Sequence, residues 1–258
     1  AVVAVVAKTI TIWSLASLPD KLPEKNYYIA TSFKKSDQIS ILIGWGLGTY
    51  SFSHHKKNYK KYSTLVIPSQ SDWKHARRVI AATFFVRDLI NMPAEELGPD
   101  SFENVARSMS EAIGGKFSVI KGKSLKKSFP AIYAVGKGAN QEPRLIDIRW
   151  GKSSSPKVTI VGKGVCFDSG GLNLKSSLGI RKMKKDMGGA ANTLGLAHMI
   201  MDSVLEINLR VLIPVVENAI DSRSYRPGDV IRARNNLTIE VGNTDAEGRI
   251  ILADALTY

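Results

Sequence analysis

Val158-Thr159-Ile160-Val161-Gly162-Lys163-Gly164-Val165-Cys166-Phe167-Asp168-Ser169-Gly170-Gly171 is the stretch on which the fold turns. Its first four residues form a β-branched, apolar run bounded by glycine, which reads as a buried strand feeding a loop. Residues 188–201 follow as a helix opened by small residues, and 209–216 as a second buried strand. Upstream, 117–120, 131–135 and 144–150 read as three more strands. A helix is predicted over 102–113, started by Pro99-Asp100-Ser101 and closed by Gly114-Gly115. Strands alternating with helices indicate a layered α/β domain with a parallel or mixed sheet. The last residues, 253–258, keep helical spacing without a stop signal, so the polypeptide is expected to continue.

The front part reads as a smaller α/β unit, over 1–83. Val2-Val3 and Val5-Val6 suggest a buried strand continued through Thr9-Ile10-Thr11-Ile12-Trp13. They are not read as a signal peptide, because no basic region precedes them. Ile41-Leu42-Ile43 is a strand-like apolar run before Gly44, Gly46 and Gly48, and 62–67 is another, closed by Pro68. A helix over 72–90, capped by Ser71 or Asp72, has Val79, Ala82, Phe85, Val86 and Leu89 at helical spacing and ends at Asn91-Met92-Pro93. It is expected to link this unit to a second domain over 84–258.

Charge is uneven. The 258 residues hold 36 Lys and Arg against 23 Asp and Glu, a formal net charge of +13. Residues 1–83 carry 12 basic and 4 acidic residues, with clusters at Lys34-Lys35 and Lys56-Lys57 through Lys60-Lys61. This reads as a solvated face. The sharper alternative is a surface for nucleic acid or an acidic partner, with Tyr59 and Tyr62 interleaved. Cys166 is the single cysteine, so no intrachain disulfide forms, as in a reducing compartment. No apolar run approaches the ~20 residues of a membrane span.

Three segments combine polar residues with glycines: 161–175, 183–191 and 242–249. Together they hold four carboxylates, Asp168, Asp186, Asp245 and Glu247. If these converge, their mutual repulsion requires cations. Without a His or Cys cluster, an oxygen-rich site suits Mg²⁺ or Mn²⁺, and carboxylates also bind Zn²⁺. Two such ions could share carboxylates and activate a water, while Lys163, Lys175 and Arg249 supply positive charge near a developing oxyanion. Taken singly, each segment is turn chemistry, and Asp245 and Glu247 could simply favour a helix N-terminus. Gly162-Lys163-Gly164 lacks the Ser or Thr that a phosphate loop needs after its lysine. A metal-dependent phosphoesterase remains a weaker use of the same residues.

Asn243-Thr244-Asp245-Ala246-Glu247-Gly248-Arg249 resembles the signature of the leucyl aminopeptidase, or cytosol aminopeptidase, family. Residues 162–175 and Asp186-Met187-Gly188-Gly189-Ala190-Ala191 resemble that family's other active-site motifs in order and spacing. Pro214-Val215-Val216-Glu217-Asn218 and Tyr225-Arg226-Pro227-Gly228-Asp229 resemble it as well. The resemblance runs from about Phe84 to Tyr258. It implies a three-layer α/β/α catalytic domain with a mixed sheet, here cut short at its C-terminus. It also implies a cytoplasmic exopeptidase with two divalent ions, Mn²⁺ or Zn²⁺, with Mg²⁺ also suitable. Asp168 and Glu247 would bridge both ions, Lys163 and Asp186 would complete the tighter site, and Asp245 the more exchangeable one. Lys175 would stabilise the oxyanion, and Arg249 would hold a bicarbonate acting as general base. Substrates would be peptides with a free N-terminus, releasing leucine and other apolar residues, and the complete protein would be a homo-oligomer, a hexamer. Some relatives bind DNA, which keeps a DNA-binding or accessory role as the alternative.

Two departures from the family are visible. Ser176 follows Lys175 where many relatives have proline. Cys166 lies between Lys163 and Asp168, on the same strand face as Asp168 by alternation, and is read as a small core residue. His54, His55, His75 and His198 are read as structural or exposed, not as ligands.

Overall fold

The structure is a computed structural model that describes residues 2–57, 60–67 and 70–258, without the side chains of 70–72. It divides into two compact units, 1–87 and 88–258. Tyr59, Pro68 and the capping side chains of Ser71 and Asp72 lie outside the described parts. Among the described residues, no helix is long and apolar enough to cross a membrane.

The front unit contains α1 (Leu18–Lys21), β1 (Asn26–Tyr27), α2 (Lys35–Gly48), β2 (Thr64–Leu65) and most of α3 (Gln70–Asn91). Strands β1 and β2 pair in parallel over two residues each. Its core joins Leu42, Ile43 and Leu47 of α2 to Ala76 of α3, with Val79, Ile80 and Phe84 packed alongside.

Two sequence expectations fail here. Ile41-Leu42-Ile43 is helical, because the glycines after it serve close packing rather than a turn. A Cβ on Gly44 would stand 1.8 Å from the Ile12 carbonyl oxygen, and one on Gly48 would stand 1.9 Å from that of Ala16. The run from Val2 onward forms no strand: Val3 and Val5 are 89% and 95% exposed. A β-branched run becomes a strand only where a neighbour completes its ladder, and among the described residues of this unit the strand pairing is that of β1 with β2.

The second unit contains α4 (Pro99–Ala112), β3 (Lys116–Lys121), α5 (Gly122–Ser128), α6 (Pro130–Gly136), β4 (Arg144–Trp150), β5 (Lys157–Val161) and β6 (Gly164–Asp168). After these come α7 (Ser177–Ile180), a 3-10 turn (Met183–Met187), α8 (Gly188–Asp202), β7 (Asn208–Asn218), β8 (Val230–Arg232), β9 (Thr238–Glu240), a second 3-10 turn (Thr244–Ala246) and α9 (Glu247–Leu256). The sheet is mixed. Strand β7 pairs antiparallel with β4, which pairs antiparallel with β3. On its other edge, β7 pairs in parallel with β5 along residues 208–212 and with β6 at residues 215–218.

Helices α5, α6 and α9 cover one face through Leu125, Phe129, Ile132, Leu145, Val165, Val216 and Ile251. Helices α4 and α8 pack against β7 as well, presenting buried Phe102, Ala106, Leu194 and Ala197. Ile146 faces Ile213 and Ile148 faces Val211 across the β4–β7 pair. All four are fully buried, each contributing about 1.5–3 kcal/mol of hydrophobic stabilisation.

Residues 131–135, read as a strand, belong to α6 instead. A short apolar run does not separate a strand from a buried helix. Pro130 occupies the first turn of α6, and the Asp254 carboxylate accepts from Ala131 N and Ile132 N at 2.8 and 3.2 Å. Those backbone donors are thereby satisfied in a helix start rather than in a ladder.

Candidate active site

The quoted stretch places the site by interrupting itself. Strands β5 and β6 run along the same edge of β7, with Gly162 and Lys163 between them. Gly162 N still donates to Leu212 O at 3.0 Å, but the Lys163 carbonyl turns to accept from Ala190 N, in the first turn of α8, at 2.9 Å. A side chain at Gly162 is excluded, since its Cβ would stand 2.8 Å from Ala190 Cα. Lys163 is thereby fixed at the break in the sheet edge. Asp168 ends β6 opposite Asn218, which ends β7. The β6–β7 register shifts between Val165 and Asp168, so strict alternation does not govern where Asp168 points. Cys166 is a free, buried thiol whose pKa burial pushes up, as a core residue's should be.

Past Asp168 the chain turns through Gly170 and Gly171, with φ of +88° and +65°, a region open to glycine at little cost. The loop over 169–175 is fastened to the segment before α9. Asn173 N donates to Thr244 Oγ1 and Thr244 N donates to Asn173 Oδ1, both at 2.9 Å. Thr244 Oγ1 also donates to Gly170 O at 2.6 Å. Asn243 Oδ1 caps the 3-10 turn by accepting from Asp245 N at 2.8 Å.

Six of the seven expected site residues are brought together. Carboxylate oxygens of Asp168, Asp245 and Glu247 lie within 4.8 Å of one another. Lys163 Nζ stands 2.8 Å from Asp186 Oδ2 and 2.7 Å from Glu247 Oε1. Lys175 Nζ pairs with Asp168 Oδ2 at 2.8 Å and with Asp245 Oδ1. Asp186 sits in the first 3-10 turn and Glu247 opens α9. Arg249, one half-turn further on, is exposed and forms no ion pair with this cluster.

Burial opposes charge on both lysines, but their carboxylate partners outweigh it and hold both pKa values above the ordinary lysine value. Burial pushes Glu247 up to about 7, against the lowering effect of Lys163 and with the nearby negative charge of Asp168. Two ammonium groups thus face four carboxylates and offset only part of their negative charge.

The donor set fits a divalent cation. Glu247 is 1% exposed, and its Oε2 is buried with no hydrogen-bond partner, which is costly unless a cation meets it. Carboxylates with one amine suit Mn²⁺, Zn²⁺ or Mg²⁺.

Sequence reading gave no role to three side chains that shape this site. Asn218 Nδ2 donates to Asp168 Oδ1 at 2.8 Å and to Thr244 O at 3.0 Å. Tyr225, 1% exposed, donates its hydroxyl to the same Thr244 carbonyl at 2.5 Å. Thr244 itself is fully buried. The available signal was a polar residue ending a long apolar strand, at Asn218.

Residues 84–258 match the model of the cytosol aminopeptidase family, catalytic domain, and residues 1–68 match that of the M17 aminopeptidase N-terminal domain. A probable cytosol aminopeptidase 1 of Shewanella oneidensis is 38% identical over 237 residues, covering 91% of this chain and 44% of the relative. A probable cytosol aminopeptidase of Sinorhizobium medicae is 36% identical, over 84% of this chain and 47% of the relative. The crystal structure of a cytosol aminopeptidase from Coxiella burnetii superposes with a TM-score of 0.92 at 46% identity, over 95% of this chain and 54% of that one. The bottromycin maturation enzyme BotP, solved in complex with Mn, gives a TM-score of 0.83 at 30% identity, over 90% of this chain and 52% of that one. The chain therefore spans about half the length of these relatives. Sequence and fold agree, and this chain belongs to the cytosol aminopeptidase family.

Proposed function

We propose that the protein is a metal-dependent aminopeptidase that hydrolyses the first peptide bond of peptides with a free N-terminus, releasing leucine and other apolar residues. Two divalent ions, Mn²⁺ or Zn²⁺, would be held by this chain, and the Mn complex of the BotP neighbour supports that choice. Asp168 and Glu247 would bridge them, Lys163 and Asp186 would complete one site, and Asp245 the other. When bound, the ions supply an activated water and a polarised scissile carbonyl.

The residues of the chain do the rest. Lys163 would ligate only as a neutral amine, so one of its ammonium protons, now held against Asp186 and Glu247, would pass to solvent. Lys175 keeps its proton, favoured by Asp168 and Asp245, and offers the ammonium against which a tetrahedral oxyanion is stabilised. Arg249, exposed and outside the carboxylate cluster, is free to hold the bicarbonate that serves as base. A free α-amine on the substrate would be the group that one ion recognises, which would select N-terminal residues.

The observation that carries this reading is the convergence of Asp168, Asp245 and Glu247 within 4.8 Å, together with the unpartnered Glu247 Oε2. The test is hydrolysis of leucine amide by the intact polypeptide loaded with Mn²⁺ or Zn²⁺. Asp245→Asn and Lys175→Ala should each lower kcat by about 10²–10³-fold or more. Turnover like the wild type in both variants would sink the mechanism.

A further inference from the structure

We propose that Asn218 is the positioning residue of this centre: one side-chain amide fixes the orientation of Asp168 and of the peptide that leads into Asp245. This deepens the two-metal reading and rests on it.

Asn218 ends β7 and is 1% exposed. Its backbone carbonyl is held by Ser169 N at 3.2 Å and by Ser169 Oγ at 2.6 Å. The side chain therefore leaves a fixed point on the central strand. Its amide nitrogen has two protons, and both are used. One goes to Asp168 Oδ1 at 2.8 Å, and the other to Thr244 O at 3.0 Å. Both acceptors lack donor capacity, so the amide has only one sensible orientation.

The consequence at Asp168 is a division of labour between its oxygens. Oδ1 accepts from Asn218 Nδ2 and also from Gly170 N at 2.9 Å, which occupies both of its favourable directions. Oδ2, paired with Lys175, is left to face the cluster. At Thr244, the carbonyl accepts from Asn218 and from the Tyr225 hydroxyl. Two donors from different parts of the fold lock the plane of the 244–245 peptide, and with it the start of Asp245. Gly171 leaves room for this arrangement, since a Cβ there would stand 2.9 Å from Thr244 Cβ and 3.1 Å from Asn218 Oδ1. Two ligands 77 residues apart in sequence are thus set by one amide. Outer partners of this kind commonly change metal affinity 10–100-fold when removed.

The experiment measures Mn²⁺ affinity by calorimetry, and the magnetic coupling of the bound pair by electron paramagnetic resonance, for the wild type, Asn218→Leu and Asn218→Asp. Leu keeps the volume and loses both donors; Asp keeps the shape and turns an acceptor toward two acceptors. Both variants should bind Mn²⁺ at least tenfold more weakly and lose the coupled-pair signal while keeping the wild-type circular dichroism. Ile148→Ala, a core truncation in β4, should lower Tm and leave Mn²⁺ affinity within twofold. Affinity and coupling unchanged in either folded Asn218 variant would overturn the assignment, as would an equal loss of affinity in Ile148→Ala. Failure of the wild type itself to bind Mn²⁺ would instead overturn the metal reading beneath it. If Asn218→Leu does not fold, Asn218→Asp decides alone.

Discussion

Gly248 provides the space that the Lys163 side chain fills: a Cβ at 248 would stand 2.5 Å from Lys163 Cε and 2.8 Å from its Nζ. The first turn of the signature helix is thereby fitted to a lysine 85 residues earlier. Lys163 Nζ ends between Asp186 and Glu247 because α9 presents no side chain in its path.

Gly248→Ala should displace the flexible end of Lys163 rather than break the fold. The expected result is a native circular dichroism spectrum and a Mn²⁺ affinity lowered by roughly tenfold or more, as for other changes that misplace a ligand. Calorimetric titration of the variant beside the wild type checks it.

Glu247 links stability to pH in the metal-free protein. Its folded pKa, about 7, lies above the ordinary value of 4.5 because of burial. The folded state therefore holds this proton more tightly than the unfolded state does. Its contribution is fully present below pH 4.5 and is lost as pH rises through about 7. Urea midpoints of the metal-free wild type should thus fall relative to those of Glu247→Gln between pH 5 and 8. A difference that stays flat over that range would refute the coupling. Mn²⁺ binding should strengthen over the same rise, since the proton and the cation compete for one carboxylate.

Asp254 ties α9 to the start of α6 and to the chain just past β8. Its carboxylate, fully buried, accepts from Ala131 N and Ile132 N and from Arg234 N at 2.7 Å. Asp254→Ala leaves three backbone donors without an acceptor and should cost about 2–4 kcal/mol. Chemical denaturation measures the loss, and Asp254→Asn should recover part of it through its remaining oxygen.

Gly44→Ala tests the front unit. The added Cβ meets the backbone oxygen of Ile12 at 1.8 Å, and a backbone atom cannot swing aside as a side chain can. A loss of about 1–3 kcal/mol or more is expected. It should be read as a lower thermal transition of that unit, with Mn²⁺ binding at the carboxylate cluster retained.

The same contrast explains where sequence reading succeeded. Strand β4 was legible as residues 144–150, and α8 and β7 within two residues at each end, because their apolar patterns are long and their ends carry glycine, proline or a polar stop. The runs at 41–43 and 131–135 were misread, since three to five apolar residues satisfy a buried strand and a buried helix equally. Only Ile12 O lying against Gly44, and Asp254 lying against the first N–H groups of α6, decide for helix.

The sequence by itself determined the chemistry on offer. Four carboxylates and two lysines beside glycines, in three segments with a specific order and spacing, imply a cation site wherever they meet. Tertiary structure alone decided how they meet. The break between β5 and β6 turns Lys163 toward Asp186 and Glu247, and the shared ending of β6 and β7 sets Asp168 beside Asn218. Tyr225 and Asn218 together fix the Thr244 carbonyl. These are relations between residues tens of positions apart, set by strand register and by which backbone groups remain to be satisfied, and no local pattern of residues encodes them.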